Sequence, residues 1–320
     1  MILNSLNSFI STVDPNKATV TSFPQFIALY GGVTSPNHAH LKVKSQRALF
    51  YQWVLEYRQE FKGLLLLSDL YDDIGEYYRG DDFTLLERDI GYLTSAILMF
   101  LESSDTIVKY GVFSQIQSLC KKLVIVVTDD YQPKKTFISL EPIYKNHGTI
   151  RYPNSFCIIP KGELNTFIKY IPNIIEIIDK KIKLVNGRES FNKKNPQHEI
   201  LLVLDLINLF LTIRFTEIQH LVSHFGLELG PSRLNQILFL LDKTGLITRQ
   251  RYGNNLFYIP RNFKRRYIKY SSYSSGCSFR REGLKTSVWK EIQGDSYRRR
   301  VYEFVNAKRV GEKRVFLRRC

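Results

Sequence analysis

Apolar positions along this chain come in two rhythms, and the change between them divides it. The first is a short apolar run followed by a polar loop and then a helical stretch. Phe26-Ile-Ala-Leu-Tyr30 ends in Gly31-Gly32, which predicts a buried strand and a turn. Residues 45–61 have helical spacing, with Leu49, Trp53, Val54 and Tyr57 on one face. Gly63 breaks that helix, and Leu64 to Leu67 reads as a second strand. Phe83 to Leu93 is helical, Ala96 to Leu101 a third strand, Ile107 to Leu119 helical, and Leu123 to Val127 a fourth strand. Glu163 to Val185 is an amphipathic helix. Residues 1–23 read as a loose leader.

Strand–helix alternation of this kind predicts βαβ units and a parallel sheet. Ligands of such open sheets bind at the carboxyl ends of the strands, where all the polar loops fall. That argument alone names no reaction.

The second rhythm begins after residues 186–197, a segment rich in Asn, Lys and Gly that reads as a linker. Glu199 to Leu211 is a strongly apolar helix. Thr216 to Phe225 is the next, with Thr216 as N-cap and Gly226 as terminator. Pro231-Ser232 opens a third, Arg233 to Lys243. Leu246 to Ile259 reads as strand, turn, strand, with Gly253-Asn254 at the turn. The expected domains are a leader (1–24), an α/β domain (25–185), a linker (186–197), a helical domain with a β-ribbon (198–260) and a tail (261–320).

Charge changes the picture at one end only. The formal net charge is +16, and residues 261–320 hold 18 Lys/Arg against 5 Asp/Glu, so 18 − 5 = +13 lies there. Lys264-Arg265-Arg266, Arg280-Arg281 and Arg298-Arg299-Arg300 alternate with aromatics such as Tyr267, Tyr270, Trp289 and Phe304. Cations grip phosphates and aromatics stack on unpaired bases, so the tail suits RNA or single-stranded DNA. Aromatics packed onto the preceding domain are an equally good reading.

Other classes are excluded or disfavoured. There is no apolar run of membrane-spanning length and no signal peptide, which predicts a cytoplasmic protein. Four scattered cysteines argue against a disulfide framework and a zinc site. His220 and His224 have metal-ligand spacing but no third ligand. No metal or cofactor is expected.

The segment from Arg233 to Ile247 resembles the recognition helix and exit of a winged helix-turn-helix, and the Arg249 to Tyr258 ribbon resembles its wing. The resemblance puts Arg233, Asn235 and Gln236, with Ser232, at the groove-facing start of the recognition helix, and Arg249 and Arg251 on the wing. Many winged helices face proteins instead, and this recognition helix is poor in cations. Lys264, Arg265, Arg266, Arg298, Arg299 and Arg300 complete the expected nucleic-acid contacts.

The front domain resembles another family. Leu29-Tyr-Gly-Gly32, Ser68-Asp-Leu-Tyr-Asp-Asp73 and Phe100-Leu-Glu-Ser-Ser-Asp-Thr106 with Ile107 to Gly111 look like the nucleoside deoxyribosyltransferase-like fold. More narrowly they look like retron effectors, which join such a domain to a C-terminal winged helix. The resemblance implies a nucleotide beside Gly31 and Gly32, with Asp69, Asp72 and Asp73 at the rim, and Glu102 and Ser103 in the third loop. It implies N-glycosidic chemistry, in which a carboxylate supports an oxocarbenium-like centre and a second acid helps the base depart. Where that family carries a catalytic Glu, two residues before the glycine, this chain has Lys109. Either a neighbouring carboxylate (Glu102, Asp105 or Glu87) takes the role, or Lys109 binds a phosphate and the domain only senses a nucleotide. Arg47, at a helix start, is a further phosphate candidate. His38 and His40 read first as loop residues.

The implied biology is an antiphage effector, a toxin acting on nucleotides. It would be kept silent by a retron reverse transcriptase and its multicopy single-stranded DNA–RNA. The competing expectation is a non-catalytic, nucleotide-sensing, DNA-binding regulator. A homo-oligomer is compatible with both.

Overall fold

The computed structural model describes residues 3–32, 45–61, 63–67, 76–78, 83–129, 152–153, 155–162, 164–185, 187–274 and 279–317. Two units emerge: Phe23–Gly187 is one, and Met1–Ser22 together with Arg188–Cys320 is the other.

In chain order the α-helices are α1 (Asn4–Thr12), α2 (Gln46–Tyr57), α3 (Phe83–Leu93), α4 (Ser104–Gln115), α5 (Gln117–Cys120), α6 (Leu164–Phe167), α7 (Ile171–Val185), α8 (Pro196–Phe210), α9 (Phe215–His224), α10 (Pro231–Lys243), α11 (Arg281–Gly294) and α12 (Ser296–Leu317). The strands are β1 (Thr19–Val20), β2 (Ile27–Tyr30), β3 (Leu65–Leu66), β4 (Ala96–Phe100), β5 (Leu123–Thr128), β6 (Phe156–Ile159), β7 (Glu189–Ser190), β8 (Ile213–Arg214), β9 (Ile247–Tyr252), β10 (Asn255–Pro260) and β11 (Ile268–Lys269).

The unit Phe23–Gly187 is built on a five-stranded sheet in the order β3-β2-β4-β5-β6. Every pairing is parallel. The middle strands are apolar throughout because both faces are covered. Ile27, Leu29, Leu98, Phe100, Val124 and Val126 share one core with Phe50 and Val54 of α2 and Ile171, Ile174, Ile175 and Ile178 of α7. On the opposite face Tyr30 packs edge-on against Phe113 of α4. Pattern reading finds four of the strands. It misses β6, a strand of four residues at the sheet edge whose Ile158 is exposed.

The connection from β2 runs outward to β3, then returns past β2 to β4. The chain therefore reverses direction across the sheet between β2 and β4. A crevice opens at such a switch point, outside the carboxyl ends of the two strands.

In the other unit the chain runs α8, β8, α9, α10, β9, β10, and the three strands form an antiparallel sheet in the order β8-β10-β9. Gly226, Gly245 and Gly253 have positive φ at the ends of α9 and α10 and in the β9–β10 turn. The expected N-cap Thr216 lies inside α9 instead. Arg214 is the capping residue, and its backbone N–H donates to Glu217 Oε2 at 2.9 Å.

Leader, linker and tail are not separate pieces. Phe9 of α1 is fully buried, its ring within 5.1–5.7 Å of those of Tyr270, Phe210 and Phe279. β1 is the centre of a three-stranded sheet, between β11 and β7. The expected linker supplies β7, and Asn195 caps α8 through its side chain. The tail folds into β11, α11 and α12, burying Leu284, Val288, Ile292, Val301 and Val305. High charge density between these apolar positions masks their helical spacing in the sequence.

Candidate functional site

Glu102 follows the end of β4, and its carboxylate reaches across the switch point. The backbone N–H groups of Gly32 (2.8 Å) and Arg47 (3.1 Å) donate to Oε1, and that of Gln46 (2.7 Å) donates to Oε2. Gln46 and Arg47 open α2, so this carboxylate satisfies orphan amides at the positive end of the helix. Ser45, the N-cap, accepts from the Ala48 N–H at 3.0 Å. The two glycines permit the approach: a Cβ at Gly31 would lie 2.6 Å from Arg47 Cβ, and one at Gly32 would lie 2.8 Å from Ser45 Cβ. Ser45 carries no functional signal in the sequence beyond opening a helix.

Arg47 is not an open phosphate ligand. Its side chain is buried, and Nη1 donates to the Gly32 carbonyl at 3.4 Å. Ser103 caps α4, with Oγ accepting from the Thr106 N–H at 3.3 Å.

A second cluster joins α3 and α4. Lys109 Nζ lies 2.9 Å from Glu87 Oε1 and 3.0 Å from Asp105 Oδ2, and sits over the Tyr30 ring. Burial works to depress the Lys109 pKa, but the carboxylates of Glu87 and then Asp105 outweigh it, so the net shift is upward. Lys109 is a cation at neutral pH with its charge met by two acids. The Asp105 side chain is 70% exposed and that of Glu87 is 16%, so Asp105 faces solvent while Glu87 anchors. Tyr30, the last residue of β2, links this cluster to the glycine loop; as part of an apolar run it gives no signal of its own. Asp69, Asp72 and Asp73, and His38 and His40, lie outside the described residues.

The expected nucleic-acid contacts divide. Arg298 is fully buried: it donates to the Thr212 carbonyl and pairs with Glu217, and its Nε lies 3.3 Å from Asp295. It holds α12 to the fold and cannot reach a ligand. Gln236 is buried among the core residues of α10, so it does not face a groove. Arg233 pairs with Glu199 at 2.6 Å and Arg249 with Asp242 at 2.8 Å. Asn235, Arg251, Lys264 and Arg299 are exposed and Arg265 is half-buried. Arg266 pairs with Glu282 on the surface, and Arg300 donates to the Tyr252 hydroxyl. Tyr267 and Tyr270 are buried, whereas Trp289, Tyr297 and Phe304 are exposed. His220 is exposed, and His224 Nε2 lies 2.9 Å from the Val13 carbonyl.

The molecule thus defines an α/β protein with a carboxylate-rich switch point, joined in one chain to a helical unit with a β-hairpin. The family model of the STM3845 retron effector protein matches residues 43–249, more than half of the chain and parts of both units. The chain belongs to that family, which points to a role in retron antiphage defence. A search of curated proteins found no match. Among the described residues no helix is long and apolar enough to cross a membrane.

Proposed function

We propose that the unit Phe23–Gly187 is a nucleoside deoxyribosyltransferase-like domain that cleaves or transfers the base of a nucleotide. The effector would be held silent by the retron reverse transcriptase and its DNA–RNA product. The observation that carries this reading is the convergence of the Gly31-Gly32 loop, Glu102 and the Lys109 cluster on the carboxyl ends of β2 and β4, the two strands of the switch point.

The geometry divides the roles. Glu102 is a positioning residue, since its oxygens are committed to three backbone donors. Asp105 is the exposed carboxylate and is the one we assign to the anomeric carbon, whose transition state is oxocarbenium-like. Lys109 orients Asp105 and is itself held by Glu87. Two acids and one ammonium leave one negative charge, which favours a developing cation.

The order α9, α10, β9, β10 supports reading the second unit as a winged helix, with Asn235, Arg251, Lys264, Arg299 and Arg300 as its open nucleic-acid contacts. Ion pairing of Arg233 and Arg249 favours a clamp on backbone phosphates over base-specific readout.

The test is incubation of the full-length protein, freed of its inhibitor, with a panel of nucleotides, followed by mass analysis of released base. Release is expected, falling at least about a hundredfold in Asp105→Asn. No release from any nucleotide, or full release by that variant, overturns the assignment. Lys109 stands where the resembling family has its carboxylate, which favours a nucleotide sensor as the second reading. Turnover gained only in Lys109→Glu would support it.

A further inference from the structure

Three rings meet on the surface of the unit formed by Met1–Ser22 and Arg188–Cys320. The Tyr302 ring of α12 lies 4.8 Å from that of Trp289 of α11 and 5.9 Å from that of Phe263, in the segment after β10. Trp289 is 37% exposed, and Tyr302 and Phe263 are half-buried, so the strip presents ring area to solvent. The two helices are anchored without it, by the buried Leu284, Val288, Ile292, Val301 and Val305. The strip is also held in place. Asn208 Nδ2 donates to the carbonyls of Asn262 and Arg265, and Lys285 Nζ donates to that of Phe263 at 2.9 Å.

The charge around the strip selects its partner. Lys264 adjoins Phe263 in the chain, and Arg299 sits on α12 three residues before Tyr302, on a neighbouring position of the helix surface. Both cations are exposed, and neither forms an ion pair among the described residues. The acids of this region are largely committed. Glu282 pairs with Arg266, Glu291 accepts from the Ser5 N–H, and Asp295 lies 3.3 Å from Arg298 Nε, while Glu303 is exposed. Rings in contact, flanked by open cations, suit a polyanion that offers flat apolar faces, which is nucleic acid with unpaired bases. In a duplex those faces are covered by neighbouring base pairs. A purely apolar partner would leave both cations unmatched.

We propose that Trp289, Tyr302 and Phe263 form a stacking platform for a single-stranded stretch of nucleic acid, with Lys264 and Arg299 on its phosphates. This rests on reading the unit as nucleic-acid-binding. It adds the strandedness of the partner and the residues that meet its bases. Stacking tolerates any base, so little sequence preference is expected.

The chain has two tryptophans and Trp53 belongs to the other unit, so full-length protein carrying Trp53→Phe reports on Trp289 alone. The probes are a short end-labelled DNA strand, the RNA strand of the same sequence and the blunt DNA duplex. Binding is read by anisotropy of the label and by Trp289 emission. The strands are expected to bind at least about tenfold more tightly than the duplex and to quench Trp289. The tighter of the two strands distinguishes DNA from RNA as the partner. Trp289→Ala should weaken strand binding at least about fivefold and leave duplex binding unchanged, whereas Trp289→Phe retains both. Thermal unfolding checks that the variants fold, and the quenching needs no platform variant. Equal or tighter duplex binding, Trp289 emission unchanged by a bound strand, or full strand binding by Trp289→Ala overturns the proposal. Salt-sensitive duplex binding in those cases still supports the phosphate clamp. No binding of any probe overturns both readings and leaves the strip to a protein partner.

Discussion

Asp205 of α8 and Arg281 of α11 form a two-pronged ion pair, with Nη1 to Oδ2 at 2.8 Å and Nη2 to Oδ1 at 3.1 Å. Asp205 is fully buried, and its Oδ1 also accepts from the Tyr267 N–H at 2.9 Å. The pair fixes the start of the tail helices to the central helix of the unit. Removing one partner leaves a buried charge unmatched. Arg281→Ala should therefore cost about 3–5 kcal/mol of stability. Urea unfolding followed by the fluorescence of Trp289 in a Trp53→Phe background checks it, and a loss under about 1 kcal/mol would contradict the structural role.

Arg298, Arg299 and Arg300 are adjacent in sequence and opposite in role. Arg298→Ala should destabilise by about 3–5 kcal/mol, because Glu217 is buried with it. Arg299→Ala should leave stability within about 0.5 kcal/mol. It should instead weaken nucleic-acid binding and lower the salt slope by about one. Filter binding across a salt series separates the two.

The loop at the switch point depends on small residues. Gly32→Ala places a Cβ 2.8 Å from that of Ser45, and either the loop or the α2 cap must move. We expect a loss of about 1–3 kcal/mol and a marked fall in base release. Ser45→Ala, which removes only the cap, should cost about 1 kcal/mol. Comparing the two by thermal unfolding and by base release distinguishes steric displacement from loss of the cap.

Two lysines of the α/β unit give opposite pH dependences. Lys181 is buried, donating to the Pro153 carbonyl and to Ser155 Oγ, and burial lowers its pKa from 10.5 to about 8. The unfolded chain then binds the extra proton between those values, so stability rises as pH increases from about 8 towards 10.5. Lys109 is shifted upward, so its contribution is full below 10.5 and is lost as pH rises through its folded value. Lys181→Met should flatten the rise above pH 8, and Lys109→Met should flatten the fall above 10.5. Denaturant midpoints measured across pH 7–11 read both.

What the chain states locally could be read from it. Phe26 to Tyr30, Ala96 to Leu101 and Leu123 to Val127 are apolar without a break because each strand is covered on both faces, and that burial is written at every position. Gly226 and Gly253 mark a helix end and a turn because positive φ is a property of single residues. The family resemblance, too, rested on short contiguous loops. The partner of a charge is not local. Arg298 meets Thr212 and Glu217, 86 and 81 residues away, and nothing in Arg298-Arg299-Arg300 distinguishes the buried arginine from its exposed neighbours. Glu102 stood out by its loop, and folding set it against the amides of Gly32, Gln46 and Arg47, which lie 70, 56 and 55 residues earlier. Sequence alone determined four strands of the five-stranded sheet, the helices α8 to α10 with the β9–β10 hairpin, and the parallel α/β plan. Tertiary structure decided which acids are held and which are open, and it made the leader, linker and tail one unit. Charge compensation and burial depend on what the chain brings together from afar.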